Sequence, residues 1–586
     1  MSASDTAGNG TQLESIDSSE SGSSSELRLR PSDFDTHVVT NQPPPLSDYD
    51  VFSSDTALVE AVTNFGSTDS LSSLRKLGKL SGSTHVRELA IQADTNKPEL
   101  RTHDRYGHRI DEVDFHPAWH ELMGEAVGAG LHAAPWVSSD ANAHLVRSAG
   151  FITWYQAEAG HGCPISMTYA AVPALRVDQK VADRWVPGLT STVYDFGLQP
   201  PQRKAGLIAG MSMTEKQGGS DVRTNTTSAI AIPGEDGAYN LSGHKWFCSA
   251  PMSDIFLVLA QTQAGLTCFV VPRVLPDGTR NVFRIQRLKD KLGNHSNASS
   301  EIELSNTWAQ RLGEEGRGVR TIVEMVSATR LDCVLGSTAL MRRSVSEAIW
   351  HTQHRAAFGA NLIDQPLMRE VLAELALEVE AATWLSMRLA AATDHSVGAM
   401  PSADAASEAA FRRIALPMSK YYVCKRTPSV TFEAMECLGG PGYVEESGMP
   451  RIYREAPLNS IWEGSGNVNA LDLLRALAKS PESIDAWLNE VGGAKGSDRW
   501  FDQALTDILD LLATSAHDQS AARRLAENMA LVLQGSLLIR YAPAPVADAF
   551  CATRFAPGGS GRTFGSLGAK IDVETLIERA SPMVAV

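Results

Sequence analysis

The chain has 586 residues, 43% of them apolar and 20% charged, with a formal net charge of −16. This is the composition of a globular protein with core for about three or four domains, and the negative balance excludes a surface coated throughout by nucleic acid. Seven scattered cysteines without a C-x-x-C pair exclude a disulfide framework and a metal site and fit a reducing cytosol.

Residues 1–45 are rich in Ser, Gly and acids and close on Pro43-Pro44-Pro45. They hold too few large apolar residues to offset the entropy of ordering, so they read as a disordered tail. The tail has neither an apolar targeting core nor the basic character of a transit peptide. No apolar run approaches the ~18 residues of a membrane span. The expected location is therefore cytoplasmic. From 46 to 210 the period is helical, as in Leu58, Val59, Val62 and Phe65, with punctuation at Asp104-Arg105-Tyr106-Gly107 and Pro164-Ile165-Ser166.

At about 210 the period changes. A polar, Gly-rich loop, Met211 to Asp221, is followed by short apolar runs at 228–233, 239–241, 255–260, 268–271, 282–285 and 301–304. Gly/Pro turns separate them, which predicts an antiparallel barrel or sandwich over 211–310. Helical patterns return over 311–478, with no proline between Glu314 and Gln365, and a further helical segment covers 479–586. The expected fold class is α+β, mainly α.

Within this frame several stretches carry chemistry. Thr214 and Ser220 are hydroxyls among glycines that allow close backbone approach to a phosphate or a ring edge. Gly243 to Ser249 reads as a strand whose adjacent Trp246 and Phe247 are either core or a ligand-facing pair. His354-Arg355-Ala356-Ala357-Phe358-Gly359 with Gln365, and Gly439-Gly440-Pro441-Gly442, lie at helix ends. In Asn459-Ser-Ile-Trp-Glu-Gly-Ser-Gly-Asn467 a lone acid, Glu463, stands between an aromatic and glycines just before a helical pattern. It is either an exposed loop acid or a desolvated base.

Together these stretches resemble the acyl-CoA dehydrogenase superfamily over about residues 60–478. One family signature reads Met213-Thr214-Glu215-x-x-Gly218-Gly219-Ser220-Asp221, and a second runs from Glu436 to Glu455. Arg355-x-x-Phe358-Gly359 with Gln365, Phe247-Cys248-Ser249, and Ile461-Trp462-Glu463-Gly464 look like its arginine motif, its flavin strand and its catalytic segment. Within the superfamily the wording is nearest to the AidB-like branch, flavoproteins of the bacterial adaptive response to DNA alkylation. The resemblance implies the acyl-CoA dehydrogenase fold with an extra C-terminal helical domain, a homotetramer, FAD, an acyl-CoA-like substrate and electron-transferring flavoprotein as a possible acceptor. It implies Glu463 as the base that removes the α-proton of an acyl thioester; the position matching the base of another branch is Thr329, which cannot serve. FAD contacts are implied at Met211, Met213, Thr214, Gly218, Gly219, Ser220, Phe247, Cys248 and Ser249. Further contacts are implied at Arg355, Phe358, Gln365, Gly439 and Gly440, and from Ile461, Trp462, Gly464, Ser465, Gly466 and Asn467. Thr214, Ser220, Ser249 and Arg330 are also assigned to the substrate side. Two departures, Ser327 where many members carry Asp and the bulky Trp462, imply a poorer or differently shaped acyl-CoA site.

From Lys479 onward ten Lys/Arg face thirteen Asp/Glu, yet no acid interrupts Cys551 to Ile571. There Arg554, Arg562 and Lys570 alternate with Phe555 and Phe564, which suits either a duplex DNA contact or a solvated loop. The first reading of function is an AidB-like flavoprotein that binds duplex DNA and protects against alkylation. The alternatives are an acyl-CoA dehydrogenase of fatty-acid or branched-chain catabolism and a non-catalytic acyl-CoA and FAD sensor.

Overall fold

The computed structural model describes residues 36–559, 563–568 and 570–584. Most of the expected tail, 1–35, and Arg562 therefore lie outside the described residues. Packing begins earlier than residue 46: Trp350 Nε1 donates to the Pro44 carbonyl at 2.7 Å, and Leu46, Tyr49 and Val51 are buried beside Trp350 and Val584.

Three helices follow, α1 (Thr56–Phe65), α2 (Leu71–Ser81) and α3 (Thr84–Thr95). Asp55 caps α1 by accepting from Leu58 N at 3.1 Å, and Ser83 caps α3. A hairpin, β1 (Glu99–His103) and β2 (Arg109–Asp114), interrupts the helical region where only a turn was expected. Its strands are mostly polar and half-exposed, so they lack the apolar alternation that announces a strand. Then come α4 (Pro117–Gly128), α5 (Ala143–Tyr155), α6 (Gly162–Leu175) and α7 (Gln179–Leu189). α5 and α6 are buried almost all round, which puts them inside the molecule.

The β domain comprises β3 (Ala209–Ser212), β4 (Ser228–Ala231), β5 (Ala238–Ser249), β6 (Ile255–Thr262), β7 (Gly265–Pro272), β8 (Arg284–Leu288) and β9 (Ser299–Leu312). Strand order is β3-β6-β4-β5-β9-β7, and β7 also pairs β6, so the sheet closes on itself. The sheet is mixed rather than antiparallel throughout. β3 runs parallel to β6 over Ala209–Ser212, and β4 meets β6 in parallel at Ser228 and Gln261. Parallel neighbours require a crossover, and here the chain between β3 and β6, residues 213–254, carries the polar loop, β4 and β5 before it returns beside β3.

The bundle contains α8 (Gly318–His354), α9 (Pro366–Val397), α10 (Ala405–Glu436), α11 (Met449–Glu455) and α12 (Gly466–Lys479). The last segment adds α13 (Glu482–Gly492), α14 (Arg499–Ser515), α15 (Ala522–Tyr541), α16 (Ala544–Arg554) and α17 (Val573–Ala580). These helices share one continuous hydrophobic core with the bundle. α17 is tied back across the chain: Arg579 bridges Glu60 on α1 and Glu380 on α9, each at 2.6 Å, while Arg342 on α8 donates to the carbonyls of Ala580 and Ser54. Among the described residues no helix is long and apolar enough to cross a membrane.

Candidate active site

The stretch before α12 folds as an unusual loop. Glu463 has φ +56 and Gly464 φ +100, so a side-chain-bearing residue occupies the left-handed region next to a glycine that reaches it freely. Such a backbone costs about 1–3 kcal/mol and persists where its surroundings over-determine it. Here three successive carbonyls are held by side chains from elsewhere. Lys420 Nζ donates to Trp462 O at 2.7 Å and to Gly464 O, Arg330 Nε donates to Glu463 O at 3.0 Å, and Asn469 Nδ2 donates to Gly464 O. Asp472 anchors Arg330 at 2.7 Å and Arg413 at 3.0 Å.

The Glu463 carboxylate faces a narrow cavity lined also by Phe151, Tyr155, Cys163, Met167, Thr329, Asn459 and Trp462. Its Oε2 accepts from Thr329 Oγ1 at 2.7 Å, its one hydrogen bond among the described residues. Burial pushes the Glu463 pKa up, and the Thr329 hydroxyl, the Lys420 ammonium and Arg330 oppose that rise in decreasing order. The result is a carboxylate that is a stronger base than a free glutamate, set on a cavity wall. Cys163 on the same wall is no nucleophile, because burial pushes its thiol up to about 12.

Glu215, inside the Met213–Asp221 loop, has the opposite environment. It is buried and accepts from Lys245 Nζ at 2.7 Å, Thr227 Oγ1 at 2.6 Å, Thr226 N at 2.7 Å and Gln217 Nε2 at 2.7 Å. Although burial acts to raise its pKa, the Lys245 and Thr227 donors prevail and bring it down to about 2. Glu215 thus organises the loop that presents Thr214, whose carbonyl accepts from Trp246 N at 2.8 Å.

A flat ring with an attached phosphate fits the surface between these two loops. On β5 Phe247 points outward, 49% exposed, and Trp246 is half-buried with Lys289 Nζ 3.6 Å from its ring centre, so neither is core. Met211 and Met213 are half-buried and pack with Trp462 on one apolar cluster, and Ile461 is exposed. Ser249 lies at the strand's end, 3.3 Å from the Ser299 hydroxyl. Gly218, Gly219 and Ser220 sit at the loop tip; a Cβ on Gly219 would come within 2.9 Å of the Thr214 side chain. At the start of α12 the Ser465 side chain makes no capping bond, and a Cβ on Gly466 would lie 3.1 Å from Lys425 Nζ. Free helix N–H groups beside an ammonium suit a phosphate.

Other candidates are placed differently. Cys248 alternates inward and is fully buried in the barrel core, so its side chain cannot meet a cofactor on the outer face. Arg330 is engaged by the Glu463 carbonyl and Asp472, which makes it a clamp on the loop rather than a substrate contact. Asn467 Oδ1 accepts from Arg523 Nε at 2.8 Å. Arg355 ends α8, Phe358 is fully exposed with φ +53, and Gln365 donates to the Ala357 carbonyl at 3.2 Å. Gly439 (φ +65) and Gly440 face open space. Arg554 turns inward to Glu374 and Glu378, both at 3.0 Å, and is therefore not a surface cation for a duplex; Lys570 is exposed. Lys420, Asn459, Asn469 and Asp472 escaped sequence reasoning. A lone lysine in the apolar run from Ile414 to Cys424 was the available signal for Lys420.

Comparison with known proteins finds three family domains along the chain. Residues 41–196 match the adaptive response protein AidB N-terminal domain, 210–307 the acyl-CoA dehydrogenase middle domain and 316–478 the acyl-CoA dehydrogenase C-terminal domain. The chain is 46% identical to the putative acyl-CoA dehydrogenase AidB of Escherichia coli (strain K12), over 88% of this chain and 94% of that one. Caenorhabditis elegans ACDH-11, solved in complex with C11-CoA, superposes with a TM-score of 0.79 at 27% identity over 89% of this chain and 94% of its own. The apo-form of Bd2924 superposes with a TM-score of 0.77 at 29% identity over 86% of this chain and all of its own. The chain belongs to the AidB-like branch of the acyl-CoA dehydrogenase superfamily, a family of FAD-dependent oxidoreductases.

Proposed function

We propose that the protein binds FAD and removes a proton from the α-carbon of an acyl thioester with Glu463 as the base. The observation that carries this reading is a desolvated carboxylate on a cavity wall, held in a left-handed backbone by three donors. When bound, FAD supplies the acceptor for the hydride that leaves the β-carbon. The chain's own part is to orient the base, to keep water from it, and to hold the cofactor. Thr214 and Ser249 are proposed to meet the ring. Phe247, Met211, Met213 and Trp462 flank it, and the α12 N-terminus with Lys425, together with Ser220 and Arg355, takes the phosphates. Acyl-CoA as the substrate class is supported by the C. elegans relative solved with C11-CoA. Anaerobic titration with a panel of acyl-CoAs tests this: flavin absorbance bleaches in the wild type and stays unchanged in Glu463→Gln, which still holds FAD.

A role in the response to DNA alkylation, with duplex DNA as a partner, rests on the AidB match over residues 41–196. Assembly as a homotetramer is supported by large apolar side chains left exposed, Phe358 at 101%, Tyr443 at 83% and Leu367 at 81%. Electron-transferring flavoprotein is retained as the proposed acceptor and the cytoplasm as the proposed location.

A further inference from the structure

A second cavity, of about 210 Å³, shares α8 with the Glu463 cavity: Ala328 and Leu331 line it, whereas Thr329 and Asp332 line the other. The rest of its apolar wall is Trp136, Tyr169, Pro173 and Val397, from the turn before α5, from α6 and from the end of α9. That volume is below the ~300–1,000 Å³ of a drug-sized ligand and suits a smaller one. Two arginines, Arg176 and Arg412, stand in the same wall. Arg412 is half-buried; its Nη1 donates to Ser396 Oγ at 2.8 Å, and Arg176 Nη2 donates to the Trp136 carbonyl at 2.6 Å. Among the described residues neither guanidinium has a carboxylate within ion-pair distance. Burial therefore prevails at Arg412 and pushes its pKa down, although Tyr169, Glu324 and Glu408 act the other way. The neighbouring acids are committed elsewhere: Glu408 to Arg388 at 2.9 Å, Asp332 to Arg147, and Asp394 to the backbone N–H groups of His144 and Leu145. The field of these cations reaches His144, whose Nδ1 lies 2.8 Å from the Tyr169 hydroxyl. Burial first, and then Arg412, Arg147 and Arg176, bring its pKa down to about 3. Guanidinium donors among apolar walls, in a positive field that nothing nearby cancels, match a carboxylate. Glu324, the one acid on the wall, is exposed and leaves a single positive charge to be met; a monocarboxylate meets it, and a phosphate dianion exceeds it.

We infer that this cavity is a second binding site, for a small monocarboxylate with an apolar body, its carboxylate held by Arg412 and Arg176 and its body set against Trp136 and Val397. The site is separate from the Glu463 cavity and stands or falls independently of the acyl-CoA reading.

The probe is benzoate, compared with its neutral isostere benzamide and with inorganic phosphate, on the full-length FAD-loaded protein by isothermal titration calorimetry. Benzoate is expected to bind once per chain and about tenfold or more tightly than benzamide or phosphate, with the flavin spectrum unchanged. Arg412→Gln keeps a donor for Ser396 and removes the charge; it is expected to weaken benzoate about tenfold or more and to leave benzamide as in wild type. Val397→Glu, at a position 45% exposed that tolerates a polar side chain, sets a rival carboxylate beside the two arginines and is expected to weaken benzoate to a similar degree. Glu324→Gln removes the wall's own acid and is expected to tighten benzoate several-fold and to raise the affinity for phosphate. Absence of benzoate binding, equal affinities for benzoate and benzamide, or a wild-type benzoate affinity in either Arg412→Gln or Val397→Glu would overturn the inference. A flavin spectrum shifted by benzoate would place the probe beside the cofactor and overturn it as well.

Discussion

Burial acts to raise the pKa of both Glu215 and Glu463, yet the two end in opposite states. Glu215 meets an ammonium, two hydroxyls, an amide side chain and backbone N–H groups, and its pKa falls to about 2. Glu463 meets one hydroxyl, and burial keeps its pKa raised. The donors near Glu463 are spent on its backbone and that of its neighbours: Lys420, Arg330 and Asn469 all bind carbonyls rather than the carboxylate. The difference is between fixing a side chain by satisfying its charge and fixing it by satisfying its peptide. The first yields a strut; the second leaves the carboxylate basic and still in place.

The largest expected effect falls on the base. Glu463→Gln should lower acyl-CoA-dependent flavin bleaching by about 10²–10⁴-fold, the usual worth of a positioned general base, with FAD content unchanged. Bleaching at the wild-type rate would place the base elsewhere. On the other side of the comparison, Glu215→Ala strands a buried ammonium, a loss of about 3–5 kcal/mol read as an earlier denaturant midpoint by tryptophan fluorescence. The same contrast has a pH form. Because the folded pKa of Glu215 is depressed from 4.5 to about 2, its contribution to stability is complete above about 4.5 and is lost as pH falls toward 2. Acid unfolding of Glu215→Gln should lack that component. Lys420→Met sharpens the comparison further, since it removes a positive charge that lowers the Glu463 pKa and releases two carbonyls. The acid limb of the rate–pH profile should move to higher pH and the maximal rate should fall about tenfold, as a loosened catalytic geometry implies. Thr329→Val shifts the same limb in the same direction without loosening the loop, so its maximal rate should stay near that of wild type. The smallest effect belongs to DNA. Arg554, whose charge is satisfied inward like that of Glu215, should leave the salt slope of duplex binding unchanged when replaced by Ala, whereas Lys570→Ala should lower it by about 0.9. Fluorescence anisotropy at several salt concentrations reads both slopes.

What could be read in the sequence follows from distance along the chain. The segment 459–467 is contiguous, so an acid between an aromatic and glycines ahead of a helix was visible, as was the change of period at Ala209, where the first barrel strand begins. The donors that hold the segment come from Arg330, Lys420 and Asn469 on three different helices, and no local pattern connects them. The β1–β2 hairpin was hidden by its polar strands, and the parallel pairing of β3 with β6 by the two strands, β4 and β5, that come between them in the chain. Cys248 was open to correction from the start: the two-residue alternation that sends Phe247 outward sends Cys248 in. Arg554 was not, because nothing near it in sequence announces Glu374 and Glu378.

The clasp between α17 and α1 bears on how the molecule is made. Arg579 and Glu60 are 519 positions apart, yet the first helix, the chain's last described helix and α9 meet in one partly buried ion cluster. During synthesis α1 waits for most of the polypeptide before its partner exists, and until then Glu60 and the buried Asp55 face an unfinished surface. Any break near α17, by a nonsense codon or a protease, therefore reaches the opposite end of the chain, and the cell would meet such a product as exposed α1 and α9 surface rather than as a slightly shorter enzyme.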